Sequence, residues 1–238
     1  MISIILPAYN LLDLTKKAVY SINKYTADIE HELICIDDGS EDGTYEYFKT
    51  ITDKIVHSNT RQGFSYSCNK GLELSSKDSE FITIINNDYF VGPKWLSNLI
   101  NTYNVLISKN INVWCVCSKL VYGSFSEETF VQECSNYINA VSYPLTYVAT
   151  VTEIFPSIIP KKLIEKYGLF DPEYYQGIFW EDVDLHYKYK KEGYVSYCSP
   201  NSRVFHFGPS STAFKLINIH ELHARNKAIF ERKWGIKP

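Results

Sequence analysis

The chain has 238 residues and a formal net charge of −3, with 45% hydrophobic and 21% charged residues. This fits one large α/β domain or two small ones with a real core, and the slightly acidic balance argues against general nucleic-acid affinity. No apolar run approaches the ~20 residues that span a bilayer. The opening Met1-Ile2-Ser3-Ile4-Ile5-Leu6-Pro7 lacks a basic flank, so it reads as a first strand rather than a signal peptide.

Ile2 to Leu6 is a short apolar strand, followed by the loop Pro7-Ala8-Tyr9-Asn10. Leu11 to Tyr25 carries helical spacing, with Asn10 or Asp13 as candidate caps. Leu33 to Ile36 is a second buried strand ending in Asp37-Asp38-Gly39-Ser40, and Asp42-Gly43-Thr44 opens a helix to about Thr50. Ile55 to His57 is a third strand. Arg61-Gln62-Gly63-Phe64 leads into a helix over Ser65 to Leu74. Phe81 to Ile85 is a continuous apolar run, short enough for a buried parallel strand, and it ends in Asn86-Asn87-Asp88. Gly92-Pro93 and a helix from Lys94 to Leu106 follow. Strands and helices alternating at this spacing predict βαβ units and a parallel sheet.

Beyond about residue 108 the pattern changes. Val113 to Val121, Thr129 to Gln132 and Tyr147 to Ile154 look extended. Pro160 to Lys166 resembles a short helix stopped by Gly168, and Glu181 to Glu192 is a helix with Gly193 placed as its cap. Tyr194 to Cys198 and Arg203 to Phe207 are the last strands, and Leu216 to Trp234 is a helix. No linker rich in Gly, Pro or Ser and no repeat divides the chain, so both halves are expected to share one sheet. The six cysteines include no Cys-x-x-Cys, and Cys35, Cys115 and Cys117 fall in apolar strands. They read as buried thiols in a reducing, cytoplasmic compartment. The tail, with Lys215, Arg225, Lys227, Arg232 and Lys233, suits either a solvated face or peripheral contact with a membrane.

Four polar clusters sit at element ends. Asp37 and Asp38 offer carboxylates to a ribose or base edge, or simply form a tight turn. Arg61 and Gly63 precede a helix start, where backbone amides and a fixed positive charge favour phosphate. Asn86-Asn87-Asp88 supplies one carboxylate and two neutral oxygens to a hard cation, which would depend on the ligand's own phosphates and one further protein ligand. Glu181, Asp182 and Asp184 complement a helix macrodipole. They also follow the aromatic stretch Tyr174 to Trp180, whose dry wall would raise a carboxyl toward a useful general-base value. His206 lies between two phenylalanines at a strand end; an imidazole there is a core side chain or a Mn²⁺ ligand.

The order Ser3-Ile-Ile-Leu-Pro-Ala-Tyr-Asn10, Asp37-Asp-Gly-Ser-x-Asp-Gly-Thr44, Gly63-Phe-Ser-x(3)-Asn-x-Gly71, Asn86-Asn-Asp88, Gly168-x-Phe-Asp-Pro172, Glu181-Asp-Val-Asp-Leu185 and His206-x-Gly208 resembles the family 2 glycosyltransferases, rhamnosyltransferase-like members included. The likeness covers about residues 1–212. It implies an α/β GT-A fold: a Rossmann-like, mostly parallel sheet flanked by helices, with a mixed C-terminal acceptor half. It further implies one domain over 1–238, with 1–108 binding nucleotide and 109–238 binding acceptor.

The resemblance implies an inverting transfer from a nucleoside-diphosphate sugar to an acceptor hydroxyl of a glycan or other molecule, with Mn²⁺ or Mg²⁺. Pro7, Ala8, Tyr9, Asp38, Arg61, Gly63 and Asn87 would serve the nucleotide. Asp88 and His206 would hold the metal. Asp182 would be the general base with Glu181 beside it, and Trp180 would border the sugar or acceptor pocket. Asn86 departs from the family by replacing the first Asp of the usual Asp-x-Asp, which removes one carboxylate from the cation. Two alternatives follow. One is a degenerate domain that binds nucleotide or glycan without turnover. The other is a sugar nucleotidyltransferase, which would carry a Gly-rich phosphate loop where this chain has Pro7-Ala8-Tyr9-Asn10.

Overall fold

A computed structural model of the protein describes residues 1–138, 146–147, 155–175, 179–208 and 218–236. The first half alternates as expected: β1 (Ile2–Ala8), α1 (Leu12–Tyr25), β2 (His31–Asp37), α2 (Thr44–Phe48), β3 (Ile55–His57), α3 (Phe64–Leu74) and β4 (Phe81–Ile84). It continues with β5 (Tyr89–Val91), α4 (Trp95–Ser108), β6 (Val113–Val121), α5 (Glu127–Ile138), β7 (Thr146–Tyr147), β8 (Ser157–Pro160) and α6 (Lys161–Tyr167). A 3₁₀ turn (Pro172–Tyr174), α7 (Glu181–Lys191), β9 (Val195–His206) and α8 (Ile219–Trp234) complete the described elements.

The nine strands among the described residues join one sheet in the order β3-β2-β1-β4-β8-β6-β9-β5, with β7 also on β9. β1, β2, β3 and β4 are mutually parallel. β8 runs antiparallel between β4 and β6, and β9 lies parallel to β6. The sheet is therefore mostly parallel, with β5, β7 and β8 reversed.

Strand periodicity explains the layering. On β1, Ile4 and Leu6 face a core containing Val19 and Ile22 of α1 and Trp95 and Leu99 of α4. Ile5, one residue out of step, faces the opposite core with Cys68 of α3, Leu163 of α6 and Leu185 of α7. Each such aliphatic side chain contributes ~1.5–3 kcal/mol on burial, so β1 reads as a continuous apolar run rather than an alternating one. Gly71 on α3 lets that helix sit close to β1: a Cβ there would lie 2.4 Å from Ile5 Cγ2.

Several elements differ from the sequence expectation. Thr129 to Gln132 is helical, within α5. Phe130 and Cys134, four residues apart, share one buried face against Phe90 and Phe205, and Glu127 and Glu128 suit the first turn. Tyr194 to Cys198 and Arg203 to Phe207 are two ends of the single strand β9, whose pairing with β6 jumps between Ser118 and Lys119. The chain after Asp88 adds the short strand β5 before α4. β8 takes residues up to Pro160, so α6 begins at Lys161. Neither candidate cap acts on α1: Leu11 is its left-handed N-cap, and Asp42 accepts from Leu12 N at 2.8 Å. Residues 148–154 and 216–217 lie outside the described residues. No described helix is long and apolar enough to cross a membrane.

Candidate active site

Because β1, β2, β4, β6 and β9 are parallel, their carboxyl ends share one edge of the sheet. The strand order also reverses there: β2 lies on one side of β1 and β4 on the other. That switch point is where open α/β sheets hold ligands. Ala8 ends β1, Asp37 ends β2, Asn86 to Asp88 follow β4, and His206 ends β9. α7 joins the start of β9 through three residues and so runs back along the sheet. Its eleven residues, at 1.5 Å rise each, carry Glu181 and Asp182 toward the same edge.

The first two loops are tied together. Asn10 N donates to Ser40 Oγ at 2.7 Å, and Glu41 N donates to Asn10 Oδ1 at 2.8 Å. Much of the Asp-Gly-Ser-x-Asp stretch thus braces the β1–α1 loop. Gly39, at φ +84°, is required by close approach: a Cβ would stand 2.9 Å from the Thr60 carbonyl carbon. Asp37 is fully buried, 2.7 Å from His57 Nδ1, and His57 stacks on Tyr45.

Asp38 receives Gln62 N and Gly63 N at 2.7 and 2.8 Å, one on each carboxylate oxygen. Its own N–H donates to Ala8 O. Burial pushes the Asp38 carboxyl above its ordinary range, against the pull of the two amides and Arg61. The Arg61 guanidinium lies 5.7 Å from the Tyr9 ring centre. Ala8, Tyr9, Asp38, Arg61 and Gly63 are therefore brought together, while Pro7 is buried within β1. The helix behind Gly63 is tied to the second half: Asn69 donates to Phe170 O and Tyr175 Oη, both at 2.9 Å.

After β4 the three polar residues diverge. Asn87 turns inward, its amide donating to Asn10 O and Thr15 Oγ1 at 2.8 and 2.9 Å. Asp88 Oδ2 meets His206 Nε2 at 3.2 Å, and Phe207 N donates to Asp88 O. The His206 ring packs edge-on to Tyr89. Asn86 Oδ1 and His206 Nδ1 are buried and have no hydrogen-bond partner. Among the described residues no three His, Cys, Asp or Glu side chains cluster to hold a metal. The Asp88–His206 pair suits an oxygen- and imidazole-tolerant cation whose remaining ligands come from a diphosphate.

At the other corner, Phe179 and Trp180 take left-handed backbone angles, φ 69° and 73°. For aromatic residues this costs ~1–3 kcal/mol each and occurs where the surroundings impose it. Glu181 Oε2 is buried and has no partner. Burial, reinforced by the neighbouring Asp182 charge, pushes the Glu181 carboxyl up to about 8. Glu181 and Asp38 both act electrostatically on the buried Cys68 thiol of α3. Asp182 Oδ1 accepts from Val183 N at 2.8 Å. Trp180 packs against His223 and Phe230 of α8, and its indole N–H is buried and has no partner.

Asp184, the third carboxylate, is structural: it is 1% exposed and binds Lys233 Nζ and Trp234 Nε1 at 2.9 and 2.8 Å. Of the tail cations, Arg225, Arg232 and Lys233 bond within the chain, to Tyr175 O, Glu173 and Asp171. Lys215 lies outside the described residues. Asn226, a lone amide in a basic helix, carries no periodic signal in the sequence. A cavity of about 190 Å³ lined by Lys77, Glu80, Tyr103 and Lys161 opens at the amino end of β4, away from the ligand edge.

Residues 3–106 match the sequence signature described as Glycosyl transferase family 2. An uncharacterized glycosyltransferase of Rickettsia typhi is 26% identical over 232 residues, covering 93% of this chain and 69% of that protein. Two solved structures share the fold. GalNAc-T7 with UDP, GalNAc and Mn²⁺ has a TM-score of 0.67 at 16% identity, over 87% of this chain and 44% of that one. A Pyrobaculum calidifontis mannosyltransferase with GDP-Man and Mn²⁺ has a TM-score of 0.65 at 18% identity, over 100% of this chain and 65% of that one. The matched signature covers β1 to α4, the half that carries Asp38 and Asp88, and the Rickettsia relative extends the likeness through the Glu181–Asp182 corner. The chain thus has a GT-A fold and, over its first half, the sequence signature of the family 2 glycosyltransferases.

Proposed function

We propose that the chain is an inverting glycosyltransferase that moves a hexosyl or deoxyhexosyl unit from a nucleoside-diphosphate sugar to an acceptor hydroxyl, in glycan biosynthesis. The observation that carries this reading is the meeting of Asp88 and His206 at 3.2 Å on the sheet edge that also carries the Asp38-braced loop. The UDP bound by GalNAc-T7 and the GDP-Man bound by the mannosyltransferase support such a donor.

In this reading the nucleoside lies against Ala8, Tyr9 and the Asp38 loop. Arg61 and the amino end of α3 face the diphosphate, where positive charge and the helix dipole favour an anion. Asp88 and His206 would hold Mn²⁺ or Mg²⁺, which would supply charge stabilisation to the departing diphosphate.

Asp182 receives the proton of the acceptor hydroxyl while that oxygen bonds the anomeric carbon. The bond from that carbon to the diphosphate oxygen breaks, and its electron pair leaves with the nucleotide. A single displacement from the opposite face inverts the configuration. Two adjacent carboxyls do not both ionise readily in a dry site. Burial and the charge of Asp182 both disfavour ionisation of Glu181, so the base in this reading is Asp182. Trp180 walls the pocket against water.

A thermal-shift screen of UDP-, GDP- and dTDP-sugars, with Mn²⁺ and with a chelator, tests the donor class. A ligand at ~100 times its Kd adds about 2.7 kcal/mol to stability. One base class is expected to raise Tm, and to do so more with Mn²⁺. No shift with any donor would overturn the proposal.

A further inference from the structure

α8 lies against the corner that carries Glu181 and Asp182. Asn226, in the middle of that helix, is fully buried and donates from Nδ2 to the carbonyl of Phe179 at 2.9 Å. Phe179 and Trp180 are the left-handed pair immediately before Glu181. Arg225 fixes the Asn226 amide from the other side, donating from Nε to Asn226 Oδ1 at 3.0 Å, while its own NH2 donates to Tyr175 O. The Trp180 ring contacts both His223 and Phe230, one helical stretch on either side of Asn226.

The far end of the helix is fixed to the same element it clamps. Lys233 bridges Asp184 and Asp171, and Trp234 donates to Asp184. Asp184 stands in the first turn of α7, where its N–H donates to Trp180 O at 2.8 Å. The contacts form a closed circuit from Phe179 through α8 to Asp184 and back to Trp180.

We infer that α8 is a clamp for the carboxylate corner and that Asn226 is its positioning residue, holding the backbone of Phe179 so that the side chains of Glu181 and Asp182 are presented to the reacting groups. Asn226 touches neither donor nor acceptor in this arrangement. It acts through a backbone conformation that aromatic residues do not adopt unaided. The catalytic consequence rests on Asp182 being the base, as proposed above. The conformational consequence does not.

The test compares Asn226→Ala, the isosteric non-donor Asn226→Asp and the distal variant Lys233→Met with wild type, in the full chain. Two readouts are taken: steady-state transfer, and titration of the Glu181 side-chain carboxyl by ¹³C NMR, assigned with Glu181→Gln. The clamp predicts that both Asn226 variants lose turnover, on the order of 10²-fold, the effect of an ångström-scale misplacement. Donor KM is expected to stay within about twofold of wild type for the same reason, because the Asp38 and Asp88 loops are not altered. It also predicts that the Glu181 midpoint falls from about 8 toward an ordinary carboxyl as the corner opens to water, and that Lys233→Met does both more weakly.

Unchanged turnover and midpoint in folded Asn226→Asp would overturn the clamp. So would parallel loss of donor binding and turnover. Should wild type transfer no sugar, the functional proposal fails on its own, and the Glu181 midpoint still decides the clamp.

Discussion

His206 Nε2 lies 3.2 Å from Asp88 Oδ2, across 118 residues of chain. The contact is made possible by β5, which pairs antiparallel with β9 and sets Tyr89 directly against His206. A three-residue strand that the sequence does not announce thus joins the two halves at the proposed cation site. If the pair holds a cation, Asp88→Ala and His206→Ala will each weaken nucleotide binding roughly 10- to 100-fold in Mn²⁺, the range over which metal-site partners act. With a chelator the variants and wild type will bind alike. Calorimetry with and without Mn²⁺ measures this, and equal affinities in Mn²⁺ would remove the metal role.

Glu181 makes the pH dependence of stability a second check. Its carboxyl is raised in the folded state, so the native protein keeps a proton that the unfolded chain gives up near an ordinary Glu value of about 4.3. Between there and about 8 the native state binds more protons, and stability falls as pH rises, levelling off above about 8. Glu181→Gln should flatten this slope and raise Tm at pH 8 relative to wild type. Parallel Tm–pH curves for the two proteins would count against a buried, protonated Glu181.

Asp38 makes a third. Its two oxygens hold the amides of Gln62 and Gly63. Asp38→Ala leaves two N–H groups without their acceptor, at ~1–3 kcal/mol for each that stays buried. Urea unfolding should report a loss of that order, and nucleotide affinity should fall with it because the loop carrying Arg61 is released. Loss of nucleotide affinity with no change in stability would mean that Asp38 acts on the ligand and not on the loop.

The parallel half was legible in the sequence because its apolar runs are short and punctuated by Gly, Asp or Asn at the carboxyl end, and β1 and β4 are buried on both faces. The same punctuation placed Asp38, Asp88 and His206 on one edge. What was not legible depends on contacts between distant residues. Thr129 to Gln132 is made of β-favouring residues, yet Phe130 and Cys134 meet the aromatic cluster around Phe205 only as a helix. Asn87 and Asp184 sit inside site motifs but spend their polar atoms on Thr15 and on Lys233. Asp182 and Asp184 look alike in a string of carboxylates; burial against α8 separates them.

In the proposed transfer Asp182 removes the proton of the acceptor hydroxyl as the sugar leaves its nucleotide. Nucleoside diphosphate release is to be measured for wild type and Asp182→Asn, with the donor that stabilises the protein and a panel of glycan acceptors. Transfer by the variant should fall ~10²–10⁴-fold, as for loss of a positioned general base, with donor affinity unchanged. Equal turnover by the two proteins would contradict the account.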